Sequence, residues 1–172
     1  MKSKVVYIDE QDRSYGLSGM AISLAVLNNE EIIMGIDMDR IPESIDFTHE
    51  FFFSGNPRCS AKMVWGDLTR NFHLSMVMTL GNLLSRRVVS QNIALTPQEE
   101  WDLHELMVTE GAETCGLEPD EIDELWDKDY SYLKKVFSHP SVQKITRQIA
   151  EELMTRRVLS RYELADLLAL FH

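Results

Sequence analysis

The sequence predicts an α+β fold: a small, mainly antiparallel N-terminal sheet, then a helical bundle of four or five helices around a long central helix. Three observations carry that prediction. The longest helical periodicity lies mid-chain, over Ser60–Ser90. Runs rich in β-branched and aromatic residues precede it, bounded by turn residues. Repeated helix-start signals follow it, each leading into apolar residues at steps of three or four. All 172 residues are expected in one globular domain, 1–56 mainly strands and loops and 57–172 mainly helices.

Lys4–Asp9, KVVYID, reads as a short strand, and Glu10–Gly19, with two glycines, as a loop. Met20–Leu27 fits either a small buried helix or a strand. The hairpin reading is preferred, with Asn28-Asn29 as turn residues before a strand over Ile32–Met38. Ile45–Phe53 alternates Phe47, His49, Phe51 and Phe53 on one face, the period of a strand. Ser54-Gly55-Asn56-Pro57 is the clearest loop signal in the chain.

In the central helix Trp65, Leu68, Phe72, Met76, Leu80, Leu83 and Leu84 keep a helical period, and Leu74, Val77 and Met78 widen that face. A helix this apolar is either enclosed in a domain or crosses a bilayer. Crossing needs about 20 consecutive apolar residues, and Asp67, Arg70, Asn71 and His73 interrupt the run, so enclosure is expected. At 1.5 Å per residue an unbroken helix would be about 46 Å long, so a kink or break near Gly66, or fraying after Arg87, is expected. Gly81, costly inside a helix, implies a close crossing by another helix. Asp67, Asn71, Ser75, Thr79, Asn82 and Arg86 form one narrow polar stripe. It reads first as a solvent-facing strip, and second as the wall of a possible groove made by Asn71, Ser75, Thr79 and Asn82. His73 lies off the stripe and reads as a hydrogen-bonded core histidine.

Thr96-Pro97-Gln98-Glu99 is a capping box with proline at the first helical position, and Gly116 a helix C-cap. Trp101, His104, Met107 or Val108, and Ala112 continue that helix, with His104 as an interior or boundary histidine. Pro119 opens another helix with carboxylates in its first turns and Lys134-Lys135 near its end, both favourable to the helix dipole. Val142, Ile145, Ile149, Leu153 and Met154 mark a further helix. Ser160–Glu163 is a second capping box, leading to a short helix with Leu164, Leu167, Leu168 and Phe171 on its apolar edge.

The composition, 44% apolar and 26% charged, is that of a globular protein. Two distant cysteines, Cys59 and Cys115, make no disulfide framework, and the N-terminus shows no apolar signal segment, so a cytoplasmic protein is expected. The net charge of −11 is segregated. Residues 99–129 hold thirteen acidic side chains against one basic, whereas residues 130–172 hold seven basic against four acidic. Acidic surfaces repel phosphate backbones, so general nucleic-acid binding is disfavoured. The acidic stretch suits the chain's own basic segment, a second copy, or a basic partner.

The candidate chemistry lies in the turn into the central helix, residues 54–62. Helix-start N–H groups with Arg58, Ser60 and Lys62 suit a small anion, and Cys59 there would gain thiolate character. A capped helix start with an inert cysteine explains the same residues. His49-Glu50 and His104-Glu105 lack the second histidine of a zinc-protease motif, because Phe53 and Val108 stand at those positions. Residues 127–138 imitate a calcium loop but place Tyr132 and Ser138 where glycine and glutamate are needed. The remaining carboxylates of 99–129 read as a solvated charged face. No cofactor pattern is present. Residues 149–168, IAEELMTRRVLSRYELADLL, resemble in cadence the helical tail of ATP-dependent membrane zinc proteases. The zinc motif is missing and the likeness implies no function.

The expected function is therefore a non-catalytic cytoplasmic protein-interaction or self-associating module, with a protein partner or homo-oligomer and no membrane. Nine methionines and three tryptophans suit adaptable apolar contacts. The alternative is a small-anion binder or thiol-dependent enzyme using residues 54–62.

Overall fold

The computed structural model describes residues 6–41, 43–48 and 61–171, and within the last span the side chains of 66–169 and 171. Its architecture is α+β, with six α-helices and a three-stranded antiparallel sheet among the described residues.

The first element corrects the sequence reading. Glu10–Ala25, expected as a loop and a strand, is one helix, α1. Asp9 caps it by accepting from the Asp12 N–H at 2.7 Å. Its glycines and serines mark a helix buried on most sides, not a loop. The Ser14, Ser18 and Ser23 hydroxyls donate to carbonyls three or four residues back, so each small polar group is satisfied inside the helix.

The central helix, α2, spans Ala61–Leu84 and runs on as a wider π turn over Ser85–Ser90. It passes Gly66 without a break, and the departure from α geometry comes at Ser85, close to where the alternative of fraying after Arg87 placed it. Leu74, Met76, Val77, Met78, Leu80 and Leu84 are all enclosed, as the sequence predicted for this helix. Gly81 has the predicted close crossing: it meets Gly19 of α1. A Cβ at Gly81 would lie 2.5 Å from the Gly19 carbonyl oxygen and 2.6 Å from Ser23 Oγ.

The polar stripe of α2 faces solvent only at its start, where Asp67 is exposed. Asn71 and Ser75 are half-buried, while Thr79 and Asn82, 2% exposed in the case of Asn82, are enclosed. Asn82 donates to the Tyr7 hydroxyl at 2.8 Å, and Arg86 binds Asp12 through Nε at 2.8 Å and Nη2 at 2.5 Å. The stripe was misread because its partners come from α1 and the residues before it. At Thr79 and Asn82 it is therefore no wall of an open groove.

The other helices are α3 (Pro97–Cys115), α4 (Pro119–Ser138), α5 (Pro140–Arg156) and α6 (Arg161–Leu168). The starts of α3, α4 and α6 follow the predicted signals. Thr96 and Glu99 form a capping box, as do Ser160 and Glu163, and Gly116 ends α3 in the left-handed conformation at φ 64°. α2 lies against α1, α3 and α4, and α1 also lies against α5. The calcium-like segment 127–138 is simply helix within α4.

The sheet has the order β2-β1-β3, from β1 (Ile33–Asp37), β2 (Ile45–Phe47) and β3 (Val158–Ser160). Ile36 pairs with Ile45 on one side and Leu159 on the other, and all three are buried. The expected hairpin between 20–27 and 32–38 is replaced by this pairing. Residues 6–9 form no strand, and the rest of Lys4–Asp9 lies outside the described residues, as do His49 and the later part of the Ile45–Phe53 run. Arg157, in the left-handed conformation at φ 68°, caps α5 and binds Glu10 and Asp39, joining three chain regions at the sheet edge.

Candidate functional site: an acidic aromatic cleft between α3 and α4

Of the turn residues singled out in the sequence, Arg58, Cys59 and Ser60 lie outside the described residues, and Lys62 stands in the first turn of α2. The structure brings a different set together.

The link between α3 and α4 is only Gly116–Glu118, so the two helices form an antiparallel hairpin. Pro97, Glu100, Trp101 and His104 lie along one face of α3, at helical spacing. Asp123, Trp126, Asp127 and Tyr130 do the same on α4. The start of α3 is anchored: Glu99 accepts from the Thr96 N–H at 2.9 Å and from Arg87 Nε at 2.7 Å. Burial alone would raise the Glu99 carboxyl, but the Thr96 N–H and the Arg87 guanidinium outweigh it and hold it below its ordinary value.

Between these faces lies an open cleft of about 400 Å³, lined by Pro97, Glu100, Trp101, His104, Asp123, Trp126 and Asp127. Trp126, 8% exposed, is its floor. The indole stacks on the Tyr130 ring with centroids 5.4 Å apart and meets the His104 ring edge-on at 5.1 Å. His104 Nε2 and Asp123 Oδ1 are hydrogen-bonded at 2.8 Å. The Tyr130 hydroxyl donates to Glu100. Burial and then this carboxylate hold that hydroxyl well above the ordinary tyrosine range, so it stays a donor. Lys134 Nζ lies 3.8 Å from Glu100 Oε1 and 5.3 Å from the Tyr130 ring centroid. Trp101, on the rim, is 61% exposed. Asp127 has no hydrogen-bond or ion-pair partner among the described residues.

Chemically this is a cation-attracting surface. Aromatic faces carry negative electrostatic potential, and carboxylates add full charge. No serine, threonine or cysteine is among the described lining residues, so the His104–Asp123 pair has no such hydroxyl or thiol beside it there. Among the described residues no group of three or more His, Cys, Asp or Glu side chains is placed to hold a metal ion. A second histidine–carboxylate pair, His73 Nε2 with Asp129 Oδ2 at 2.5 Å, joins α2 to α4. There the buried carboxylate finds its partner in a half-buried ring, so His73 is hydrogen-bonded as predicted, though not fully in the core.

In sequence the carboxylates of 99–129 read as a solvated face and His104 as an interior or boundary histidine, and neither reading points to a cleft. Aligning 97, 100, 101 and 104 against 123, 126, 127 and 130 across the short Gly116 link would have revealed it. Among the described residues no helix is long and apolar enough to cross a membrane. No protein-family model, curated protein or solved structure matches this chain.

Proposed function

We propose that this chain is a non-catalytic cytoplasmic protein-interaction module, and that the α3–α4 cleft is its docking surface. The observation that carries the reading is Trp101, 61% exposed on the rim of a cleft walled by carboxylates. Tryptophan is among the residues that dominate the energy of protein contacts, because one side chain supplies a large rigid area and a polar edge. The surrounding charge supports a basic partner: rim charges steer association and select partners more than they add affinity. A second copy is one such partner, since residues 130–172 are net basic.

The test places a photoreactive phenylalanine analogue at position 97, exposed on the cleft lining beside the intact Trp101, and irradiates cells producing the protein. A discrete adduct is expected that disappears on Asp123→Lys with Asp127→Lys. An adduct at twice the mass of the 19.9 kDa chain identifies self-association. Equal labelling from the analogue at exposed Ile93, outside the cleft, refutes the docking surface.

A further inference from the structure

We propose that the α3–α4 cleft is a receptor for an arginine side chain carried on a basic segment of a partner protein; this rests on the interaction reading above. The hairpin carries its own precedent. One layer of it holds a ring, a carboxylate and a cation together: Tyr130, Glu100 and Lys134. The neighbouring layer, the lining of the cleft, includes the rings of Trp101 and Trp126 and the carboxylate of Asp127, with no lysine or arginine among the described lining residues. An incoming cation makes the second layer like the first.

Charge adds to this. Asp123 and Asp127 are one turn apart on α4, and such like-charged pairs repel by a few tenths of a kcal/mol on an isolated helix. Asp123 is shared with His104 and Glu100 with Tyr130 and Lys134, which leaves Asp127 as the uncommitted carboxylate in the cleft.

The cleft's shape selects between cations. It is open on one side, so an ammonium would keep its strong hydration and gain little. A guanidinium is planar and weakly hydrated; it stacks on an indole while its edge donates to a carboxylate. The same openness argues against a free small molecule, because a tight small-ligand site encloses most of its ligand. A segment with further basic residues suits the surrounding surface instead, since residues 99–129 carry thirteen acids against one base and only Glu99, paired with Arg87, and Asp129, buried against His73, are withdrawn from it.

The experiment titrates the full-length protein with a nine-residue peptide containing three spaced arginines, and with matched lysine and citrulline peptides. The indole N–H resonances of Trp101 and Trp126 are the readout. The arginine peptide is expected to move both saturably and to bind at least about fivefold tighter than the lysine peptide, with citrulline giving no saturable shift. Trp101→Ala and Asp127→Asn, both at exposed positions, are each expected to weaken binding about fivefold or more, with the circular dichroism spectrum unchanged. Equal binding of the lysine or citrulline peptide, still indole resonances, or full binding by either variant overturns the assignment. Arginine amide binding as tightly as the peptide overturns the segment as the ligand's source. If the peptide fails while the residue-97 adduct forms, the arginine assignment falls and the interaction reading stands; if both fail, both fall.

Discussion

The same substitution at two places on the central helix should change stability with opposite sign. Alanine exceeds glycine in helix propensity by about 1 kcal/mol, so in open space Gly→Ala stabilises. Gly66 is such a place: a Cβ there has nothing within 4 Å among the described residues. Gly66→Ala should therefore stabilise by up to about 1 kcal/mol. Gly81 receives the same propensity gain but has no room. Its Cβ would meet the Gly19 backbone oxygen at 2.5 Å, and a backbone atom cannot swing aside as a side-chain tip can. Forcing α1 and α2 apart falls at the upper end of overpacking costs, on the order of 3 kcal/mol. The net expectation is a destabilisation of about 2 kcal/mol at Gly81, a gap of ~3 kcal/mol between the two variants. Urea unfolding followed by circular dichroism measures both midpoints. For a chain of this size the gap corresponds to a Tm difference of about 6–12 °C. A Gly81→Ala protein as stable as the wild type would refute the close crossing of α1 and α2.

Asp12→Ala should destabilise by about 3–5 kcal/mol, because it leaves the largely buried Arg86 guanidinium unpaired; a double-mutant cycle with Arg86→Met isolates the pair. Burial alone would raise the Asp12 carboxyl, but the Arg86 guanidinium and the Ile8 N–H outweigh it and hold it below its ordinary value. Its contribution is thus whole above the ordinary aspartate range and is lost as pH falls through the lower folded value. Urea midpoints from about pH 6 to about pH 3 should fall more steeply for the wild type than for Asp12→Asn. Thr96→Ala, which removes the cap of α3, should cost about 1 kcal/mol, and Leu159→Ala, which empties the buried side of β3, about 3 kcal/mol, both read as urea midpoints.

The later helices were legible because their signals are local. Thr96-Pro97-Gln98-Glu99, Pro119 and Ser160–Glu163 each mark a boundary by hydrogen bonds within one turn. α1 was illegible for the opposite reason. Gly16 and Gly19 look like loop residues to any reading that sees only neighbours in sequence, whereas their purpose is contact with Asn82 and Gly81 of α2. The polar stripe failed in the same way: Asn82 and Arg86 look wet until Tyr7 and Asp12 are set beside them. β3 gives almost no signal in three residues, and its partner Ile36 is far away in the chain. The cleft was half legible, since the acidic stretch, Trp101 and His104 stand out in the sequence, but only the hairpin places Asp123 and Trp126 opposite them.

That distant pairing bears on biosynthesis. While the nascent chain elongates, one flank of Ile33–Asp37 has no complement, because Val158–Ser160 is synthesised long after it. Until then those main-chain donors and acceptors are available to any strand nearby, including Val158–Ser160 of another molecule. Refolding from concentrated denaturant is therefore where reciprocally exchanged dimers should accumulate, with the late strand of each molecule completing the sheet of the other.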